Sequence, residues 1–213
     1  MQITLKGIGK KFNQEWIFRD VSYTFPAKSV SAILGRNGSG KSTLLQLIAG
    51  NLTATSGAIT YSLNGQAIAG ENIFRQLSIA APYLELIEDF SLQEMVNFHF
   101  SFKKYLPGIN SRGLTEMLGF KTSGTKQLRQ FSSGMKQRVK LVLAMLSDVP
   151  LILLDEPTMN LDQEGIGWYL ELIKKYSENR TVIICSNLHQ TESSFAGNVI
   201  KVEDYKNQGW ATK

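Results

Sequence analysis

The stretch Gly35–Ser42 restricts the fold of this chain more than any other part of the sequence. It reads Gly-Arg-Asn-Gly-Ser-Gly-Lys-Ser, which fits the pattern G-x-x-x-x-G-K-[ST]. The apolar run Val30–Leu34 precedes it, and Thr43–Ala49, which has an apolar face, follows it. This arrangement predicts a strand, a glycine-rich loop and a helix in direct succession.

The residue types of this loop suit the binding of a phosphate chain. Glycines let the backbone curl so that successive N–H groups point at one anion, and the dipole of the following helix adds to the attraction. Lys41 would reach the β- and γ-phosphates, and the Ser42 hydroxyl would bind Mg²⁺. The alternative is a glycine-rich turn that carries a lysine by chance, which the flanking strand and helix disfavour. The predicted nucleotide-binding residues are Gly35, Arg36, Asn37, Gly38, Ser39, Gly40, Lys41, Ser42 and Thr43.

Length and composition are those of one soluble α/β domain. Of the 213 residues, 43% are hydrophobic and 19% are charged, and a chain of this size can bury a core. The sequence has no uncharged apolar run of about 18 residues, so we expect no membrane-spanning segment. The net charge of +5 comes from scattered basic residues, so we expect no nucleic-acid partner. One cysteine, Cys185, suits a reducing cytoplasm.

Two carboxylates follow a second apolar run. Leu151–Leu154 is apolar at every residue, which is typical of a strand covered on both faces in a parallel sheet. Asp155 and Glu156 come next, at the edge where open α/β sheets bind ligands. Asp155 would hold Mg²⁺ through water or with Ser42, and Glu156 would polarise an attacking water. The alternative is a strand that ends in acids because it reaches solvent.

Strands alternate with helices along most of the chain, which predicts an α/β sheet. Two segments are predicted as long helices, Ser133–Ser147 and Gln163–Glu178. The predicted strands are Ile3–Leu5, Trp16–Phe18, Val21–Phe25, Val30–Leu34, Gly57–Leu63, Leu77–Ala81, Leu151–Leu154, Thr181–Cys185 and Val199–Val202.

Four stretches, taken in order, resemble the motifs of the ATP-binding cassette (ABC) ATPases: Gly35–Ser42, Phe131–Arg138, Leu151–Pro157 and Thr158–Asp162. A generic phosphate-loop ATPase lacks a signature motif of the Phe131–Arg138 kind. The resemblance implies a P-loop ATPase core with an N-terminal antiparallel β subdomain and an inserted helical subdomain. We expect a single domain over residues 1–213, with the helical insertion at about residues 85–140. It further implies that two such domains face each other and enclose two ATP molecules with Mg²⁺.

The resemblance also assigns roles to residues outside the phosphate loop. Ser132, Ser133 and Gly134 of the signature would contact the γ-phosphate held by the second domain. Ser132 is a good N-cap for a helix that begins near Ser133, and Gly134 allows close approach of a phosphate. Asp162 corresponds to the D-loop aspartate, which links the two sites.

The adenine contact is less sharply indicated. Phe12 occupies the position at which the family stacks an aromatic ring on adenine. A core or edge-strand aromatic is a competing interpretation of Phe12. Trp16 is the second candidate for this contact.

The sequence departs from the family pattern in the signature and in the Q-loop. Ser133 replaces a glycine of the signature, and Met135 replaces its glutamine. Tyr83 stands where the Q-loop glutamine is expected, after the predicted strand Leu77–Ala81. Glu85 or Gln93 could replace that glutamine only if the loop bends.

A third departure follows the strand Thr181–Cys185, where the family has a switch histidine. A reading without gaps places Asn187 there, and His189 comes two residues late. Asn187 can donate a hydrogen bond to a phosphate oxygen but cannot transfer a proton. Because Glu156 is intact, we predict ATP hydrolysis with Glu156 and Asn187 as the catalytic pair, at a reduced rate.

These residues predict the ATP-hydrolysing subunit of an ABC transporter. It would pair with a second ABC domain (a copy of itself or a paralogue) and dock on a separate integral membrane permease at the cytoplasmic face. The predicted docking surface is Tyr83–Phe90 with the helical insertion. Glu85, Glu88 and Asp89 would suit a basic partner helix, although a solvated acidic loop is equally consistent. The alternatives are a regulatory cassette with little hydrolysis and a soluble ABC ATPase outside transport.

Overall fold

The computed structural model of the protein describes residues 1–120, 126–187, 192 and 194–206. This part of the chain contains a parallel sheet, an antiparallel sheet and α-helices that pack on the parallel sheet. The α-helices are α1 (Lys41–Ile48), α2 (Leu92–Phe102), α3 (Ser111–Leu118), α4 (Ser133–Met145) and α5 (Gln163–Tyr176). The described residues include no helix with both the length and the apolar character needed to cross a bilayer.

The parallel sheet brings three strand ends to one edge. Its order is β6-β7-β8-β3-β9, with Leu34 of β3 paired to Ser186 of β8 and Asp155 of β7 paired to Cys185. The strands are β3 (Val30–Leu34), β6 (Leu77–Ala80), β7 (Leu151–Asp155), β8 (Thr181–Ser186) and β9 (Asn198–Lys201). The loops that leave β3, β7 and β8 therefore meet at this edge.

The antiparallel sheet is larger than the sequence predicted. It has the order β2-β1-β4-β5. Its strands are β1 (Gln2–Phe12), β2 (Glu15–Phe25), β4 (Ser56–Leu63) and β5 (Gln66–Ile68). The separate short strands predicted at Trp16–Phe18 and Val21–Phe25 were wrong, because both belong to β2. Register shifts between β1 and β2 mark irregular pairing, and such bulges break the alternation that predicts a strand.

Helix positions agree with the sequence better than helix ends do. The predicted helices Ser133–Ser147 and Gln163–Glu178 are present as α4 and α5, each two residues shorter at its C-terminal end. Ser132 is the N-cap of α4, as predicted, and its hydroxyl accepts a hydrogen bond from Met135 N at 3.2 Å.

Hydrophobic side chains form one core on each face of the parallel sheet. Strand β7 is buried throughout, and it divides between them: Ile152 and Leu154 join the core with α4 and α5, whereas Leu151 and Leu153 join the core with α1. This confirms the prediction of a strand covered on both faces. The sheet edge that carries Asp155 is thus held rigidly from both sides.

Candidate functional site

The predicted phosphate loop has the expected geometry. Strand β3 ends at Leu34 and α1 begins at Lys41, so residues 35–40 form the connection. Gly38 and Gly40 have φ angles of 72° and 106°, a region that residues with a Cβ rarely adopt. A Cβ added at Gly40 would also lie 2.5 Å from Ile17 Cγ2. No side chain of the described residues caps α1, so its first N–H groups can bind an anion.

A cavity of about 440 Å³ lies against this loop, and we call it the phosphate-loop cavity. Its lining residues are Ile17, Asn37, Gly38, Gly40, Lys41, Ser42, Thr43 and Glu156. The fold thus places Glu156 of the second motif opposite the first motif. The Ser39 hydroxyl is buried and has no hydrogen-bond partner among the described residues. Buried polar atoms are normally paired, so this unpaired hydroxyl is consistent with a polar ligand in the loop.

Asp155 lies at the end of β7 with only 1% of its surface exposed. Burial raises the pKa of its carboxyl, and the charges of Glu156 and Glu192 raise it further. A hydrogen bond with the Ser42 side chain and the charge of Lys41 oppose this shift. Within the part of the chain described, Asp155 Oδ1 has no hydrogen-bond partner. A buried carboxylate oxygen of this kind, beside a serine hydroxyl, fits a Mg²⁺ site.

Asn187 connects the two motifs directly. The Lys41 ammonium donates to Asn187 Oδ1 at 2.5 Å, and Asn187 Nδ2 donates to Glu156 Oε1 at 3.0 Å. Lys41 also donates to the Arg36 carbonyl at 3.2 Å. Asn187, which the sequence interpretation placed at the switch-histidine position, therefore lies between Lys41 and Glu156, whereas His189 lies outside the described residues.

The backbone of Glu156 is strained. Its φ of 44° is in the left-handed region, and it precedes Pro157, which restricts it further. Such a conformation costs about 1–3 kcal/mol and persists only where neighbours hold it. One of these neighbours is the Cys185 carbonyl, which accepts a hydrogen bond from Glu156 N at 3.0 Å.

Tyr83 lies near Asp155. The residue is 43% exposed, yet burial raises the pKa of its phenol above the ordinary value and the nearby charge of Asp155 adds to the effect. A hydrogen bond with the side chain of Gln46 opposes the shift. Tyr83, which the sequence interpretation placed at the Q-loop position, therefore has its phenol near Asp155, and a phenol cannot supply the amide of a glutamine.

The signature residues line a second cavity, of about 370 Å³, which we call the signature cavity. Its lining residues are Phe120, Ser132, Ser133, Gly134, Met135, Arg138, Asn160, Leu161 and Asp162. A Cβ added at Gly134 would lie 2.9 Å from the Asn160 carbonyl oxygen, so the start of α4 packs tightly on the loop before α5. Asp162 caps α5 through a 2.8 Å bond from Gly165 N and lies 4.0 Å from Arg138.

Neither candidate for the adenine contact lines the phosphate-loop cavity. Phe12 is 47% exposed, with the Lys10 ammonium 4.9 Å from its ring centroid. Trp16 has the Arg19 guanidinium 4.3 Å from its ring. The strand residue that does line the cavity is Ile17, which the sequence interpretation overlooked because it carries no polar or aromatic group.

The sequence interpretation also missed polar contacts from distant segments. Glu203 Oε1 accepts a hydrogen bond from Arg36 N at 2.8 Å, and Lys206 Nζ donates to the Gly38 carbonyl at 2.9 Å. Glu192, which is 5% exposed, accepts from Thr158 N at 3.1 Å. These partners are separated by 34 to 168 residues, and no local pattern in the sequence marks them.

A glycine-rich loop at the end of β3, with two carboxylates at the end of β7, defines a P-loop nucleoside triphosphatase. The antiparallel sheet and the helix that begins at the signature narrow the class further. Residues 18–159 match the family model described as ABC transporter. The chain therefore belongs to the ABC transporter family, as one of its ATP-binding subunits.

Individual relatives agree with this assignment. The ABC transporter ATP-binding protein YtrE of Bacillus subtilis is 31% identical over 202 residues, which cover 89% of this chain and 87% of YtrE. The lantibiotic transport ATP-binding protein SrtF of Streptococcus pyogenes is 28% identical, over 87% of this chain and 80% of SrtF. The dimeric structure of a bacterial ABC transporter cassette has a TM-score of 0.78 at 23% identity, covering 94% of this chain and 95% of the cassette.

These findings confirm the predicted fold class and the predicted activity. The chain is an α/β P-loop protein of the ABC type, and it is an ATPase subunit of an ABC transporter. The relatives do not favour the two alternatives, a regulatory cassette with little hydrolysis or a soluble ABC ATPase outside transport.

Proposed function

We propose that the chain binds Mg·ATP between the phosphate loop and the carboxylate pair, and that Glu156 is the general base of hydrolysis. The observation that carries this proposal is the hydrogen-bonded series from Lys41 through Asn187 to Glu156, beside the unpaired Oδ1 of Asp155. What supports the proposal is that a cation suited to phosphate, a carboxylate suited to a metal and a carboxylate suited to activating water lie close together.

Ser42 and Asp155 would hold the metal. The described residues contain no group of three or more His, Cys, Asp or Glu side chains that could bind an ion by themselves. Two protein ligands supplemented by phosphate oxygens are the usual arrangement for Mg²⁺. The metal, when bound, neutralises charge on the triphosphate. Lys41, 4% exposed and held by Asn187, orients the phosphate chain from the other side.

Glu156 and Asn187 divide the chemistry between them. Glu156 accepts the proton of the attacking water, and Asn187 fixes the carboxylate through its 3.0 Å hydrogen bond. An amide cannot pass a proton onward, so Glu156 works without a proton relay at this position. We therefore expect slow turnover compared with a cassette that has a histidine there.

We also propose that the signature cavity serves a nucleotide bound to a second ABC domain. Ser132 is the N-cap of α4, and Ser133 and Gly134 are its first two residues. The N–H groups and the hydroxyls at this helix start, which line the signature cavity, suit a terminal phosphate. Asp162 lines the same cavity and would link the two sites across the interface. The dimeric cassette with the same fold supports this arrangement.

The docking surface for the permease would be apolar rather than acidic. Glu88 is paired with Lys136 at 2.5 Å, and Asp89 lies 3.4 Å from Arg129, so two of the three acids already have basic partners. Phe98 and Phe102 are 43% and 75% exposed, their ring centroids lie 5.3 Å apart, and the Phe98 ring lies 5.7 Å from that of Phe90. Phe74, 58% exposed, accepts a hydrogen bond from Lys103, the residue after Phe102. Such a patch favours an apolar helix of an integral membrane partner, which would place the chain at the cytoplasmic face of the membrane.

The helices α2, α3 and α4 lie between β6 and β7 in the chain. We propose that residues 85–140 form a helical subdomain within a single domain over residues 1–213. The Tyr83–Phe90 loop would connect this subdomain to the part of the domain that holds the phosphate loop. A movement of the subdomain would then also move the docking surface.

The roles of the two motifs can be separated with Glu156→Gln and Lys41→Ala. Glu156→Gln keeps the shape of the side chain but removes the base, so turnover should fall about 100-fold or more while ATP affinity stays within about two-fold. Lys41→Ala should weaken ATP affinity by on the order of 100-fold. Calorimetric titration of Mg·ATP and an ATPase assay on the same samples measure both. Turnover that survives Glu156→Gln nearly unchanged would refute the assignment of the base.

A further inference from the structure

Glu192 makes the contact that none of the roles above explains. Its carboxylate is buried, and Oε1 accepts hydrogen bonds from both Thr158 N, at 3.1 Å, and Thr158 Oγ1. Two donors on one oxygen of a buried carboxylate form a strong contact, because charge-assisted hydrogen bonds are stronger than neutral ones. Thr158 follows Glu156 by two residues, so this contact acts on the loop that carries the proposed base.

The loop needs such support because Glu156 has a left-handed backbone before a proline. Gln137 Nε2 donates to the Pro157 carbonyl at 2.9 Å, and Met159 N donates to the Glu156 carbonyl at 3.0 Å. These bonds fix main-chain atoms on either side of Thr158. At Thr158 itself, Leu161 N donates to the carbonyl at 3.0 Å, and Glu192 accepts from the N–H and the hydroxyl. Among these contacts, the one with Glu192 carries a full charge.

We propose that Glu192 is a positioning residue, which fixes the Glu156 carboxylate for attack by water through its hydrogen bonds to Thr158. Asn187 holds the carboxylate end of Glu156, and Glu192 holds the backbone two residues beyond. Both residues follow β8, five positions apart. Asn187 and Glu192 therefore contact this loop at two points. This inference rests on the role proposed for Glu156.

The test compares Glu192→Ala, Glu192→Gln and Thr158→Val in the full chain. Glu192→Ala should lower kcat about ten-fold and leave KM for ATP within about two-fold, because the nucleotide contacts are intact. Glu192→Gln keeps an acceptor oxygen, so it should restore at least about half of the lost kcat. Thr158→Val removes one of the two donors and should lower kcat about three-fold. The double variant Thr158→Val with Glu192→Ala should be no slower than Glu192→Ala alone.

A purely structural role would give a different pattern. It would reduce resistance to urea unfolding while folded protein kept its kcat. That result overturns the proposal, as does a Glu192→Ala chain with kcat within about two-fold of the unmodified protein. If Glu192→Ala does not fold, the test uses Glu192→Gln and Thr158→Val. The proposal then still requires that Thr158→Val lower kcat without changing KM, and an unchanged kcat would overturn it.

Glu156→Gln is assayed alongside, so that two failures can be told apart. If Glu156→Gln keeps its turnover, the proposed base is wrong and the role of Glu192 loses its foundation. If Glu156→Gln removes turnover and Glu192→Ala does not lower kcat, the base stands and only the positioning role fails.

Discussion

The phosphate-loop cavity and the signature cavity differ in how much one chain supplies. The first contains a buried cation and the proposed base, which are already connected through Asn187, and the buried carboxylate of Asp155 lies beside Ser42 of its lining. The second offers the first turn of α4 beside Asp162. On the roles proposed above, a single chain would bind nucleotide at the first cavity, whereas the second would act only on a phosphate that another molecule holds.

This contrast predicts that damage to the signature cavity spares binding. Gly134→Ala places a Cβ 2.9 Å from the Asn160 carbonyl oxygen, so the start of α4 has to shift. Turnover should fall on the order of 100-fold, the typical effect of losing a group that stabilises transition-state charge. The affinity of the chain for Mg·ATP should stay within about two-fold, and calorimetry with an ATPase assay measures the two quantities.

Gly167→Ala is the matched control for this experiment. Gly167 lies in α5, and a Cβ there would have nothing within 4 Å. We expect this variant to retain turnover. If Gly134→Ala loses ATP affinity, or if it keeps its turnover, the separate roles proposed for the two cavities are contradicted.

The pH dependence of unfolding should test the contact between α2 and the residues that follow α4. His99 of α2 is hydrogen-bonded to Ser147 at 2.9 Å, and burial lowers its pKa from 6.5 to about 4. The His99 side chain of the unfolded chain is therefore protonated below about pH 6.5, whereas in the folded chain it is protonated only below about pH 4. Stability falls through this window as the pH falls, by about 2 kcal/mol after allowance for the partial exposure of the ring.

Urea unfolding between pH 7 and 4 measures this loss. His99→Gln keeps an N–H donor for Ser147 without a titrating group, so the variant should lose less stability over the same range. The remaining titratable groups are the same in both proteins, so the difference between the two curves isolates His99. Parallel curves would show that His99 does not carry the effect.

The same contrast explains which parts of the molecule the sequence could predict. The conformations of the phosphate loop, β7 and the N-cap Ser132 are determined by residues adjacent in the sequence, so the local pattern predicted them. The meeting of Lys41, Asp155 and Asn187 followed from parallel topology, because the carboxyl ends of adjacent strands share an edge. The specific roles of these three residues stay predictions, of which Lys41→Ala tests that of Lys41.

The unpredicted features depend on partners that are distant in the sequence. Strands β1 and β2 are longer than expected because bulges break their alternation. Glu192 and Glu203 reach Thr158 and Arg36 across 34 and 167 residues. A carboxylate that binds a backbone N–H so far away leaves no mark in the surrounding residues, so only the folded chain identifies it.

The smallest expected effect concerns the outer side of the phosphate loop. Glu203 accepts a hydrogen bond from Arg36 N, and we expect Glu203→Ala to weaken Mg·ATP affinity about three-fold, as the loss of one exposed hydrogen bond predicts. Removing a negative charge near bound phosphates acts in the opposite direction. Asp204→Ala removes the same charge from the neighbouring exposed residue and should leave affinity unchanged or slightly improved. If calorimetry gives Glu203→Ala the affinity of Asp204→Ala, the contact does not stabilise the loop, and the organisation of the phosphate-loop cavity comes from its inner groups alone.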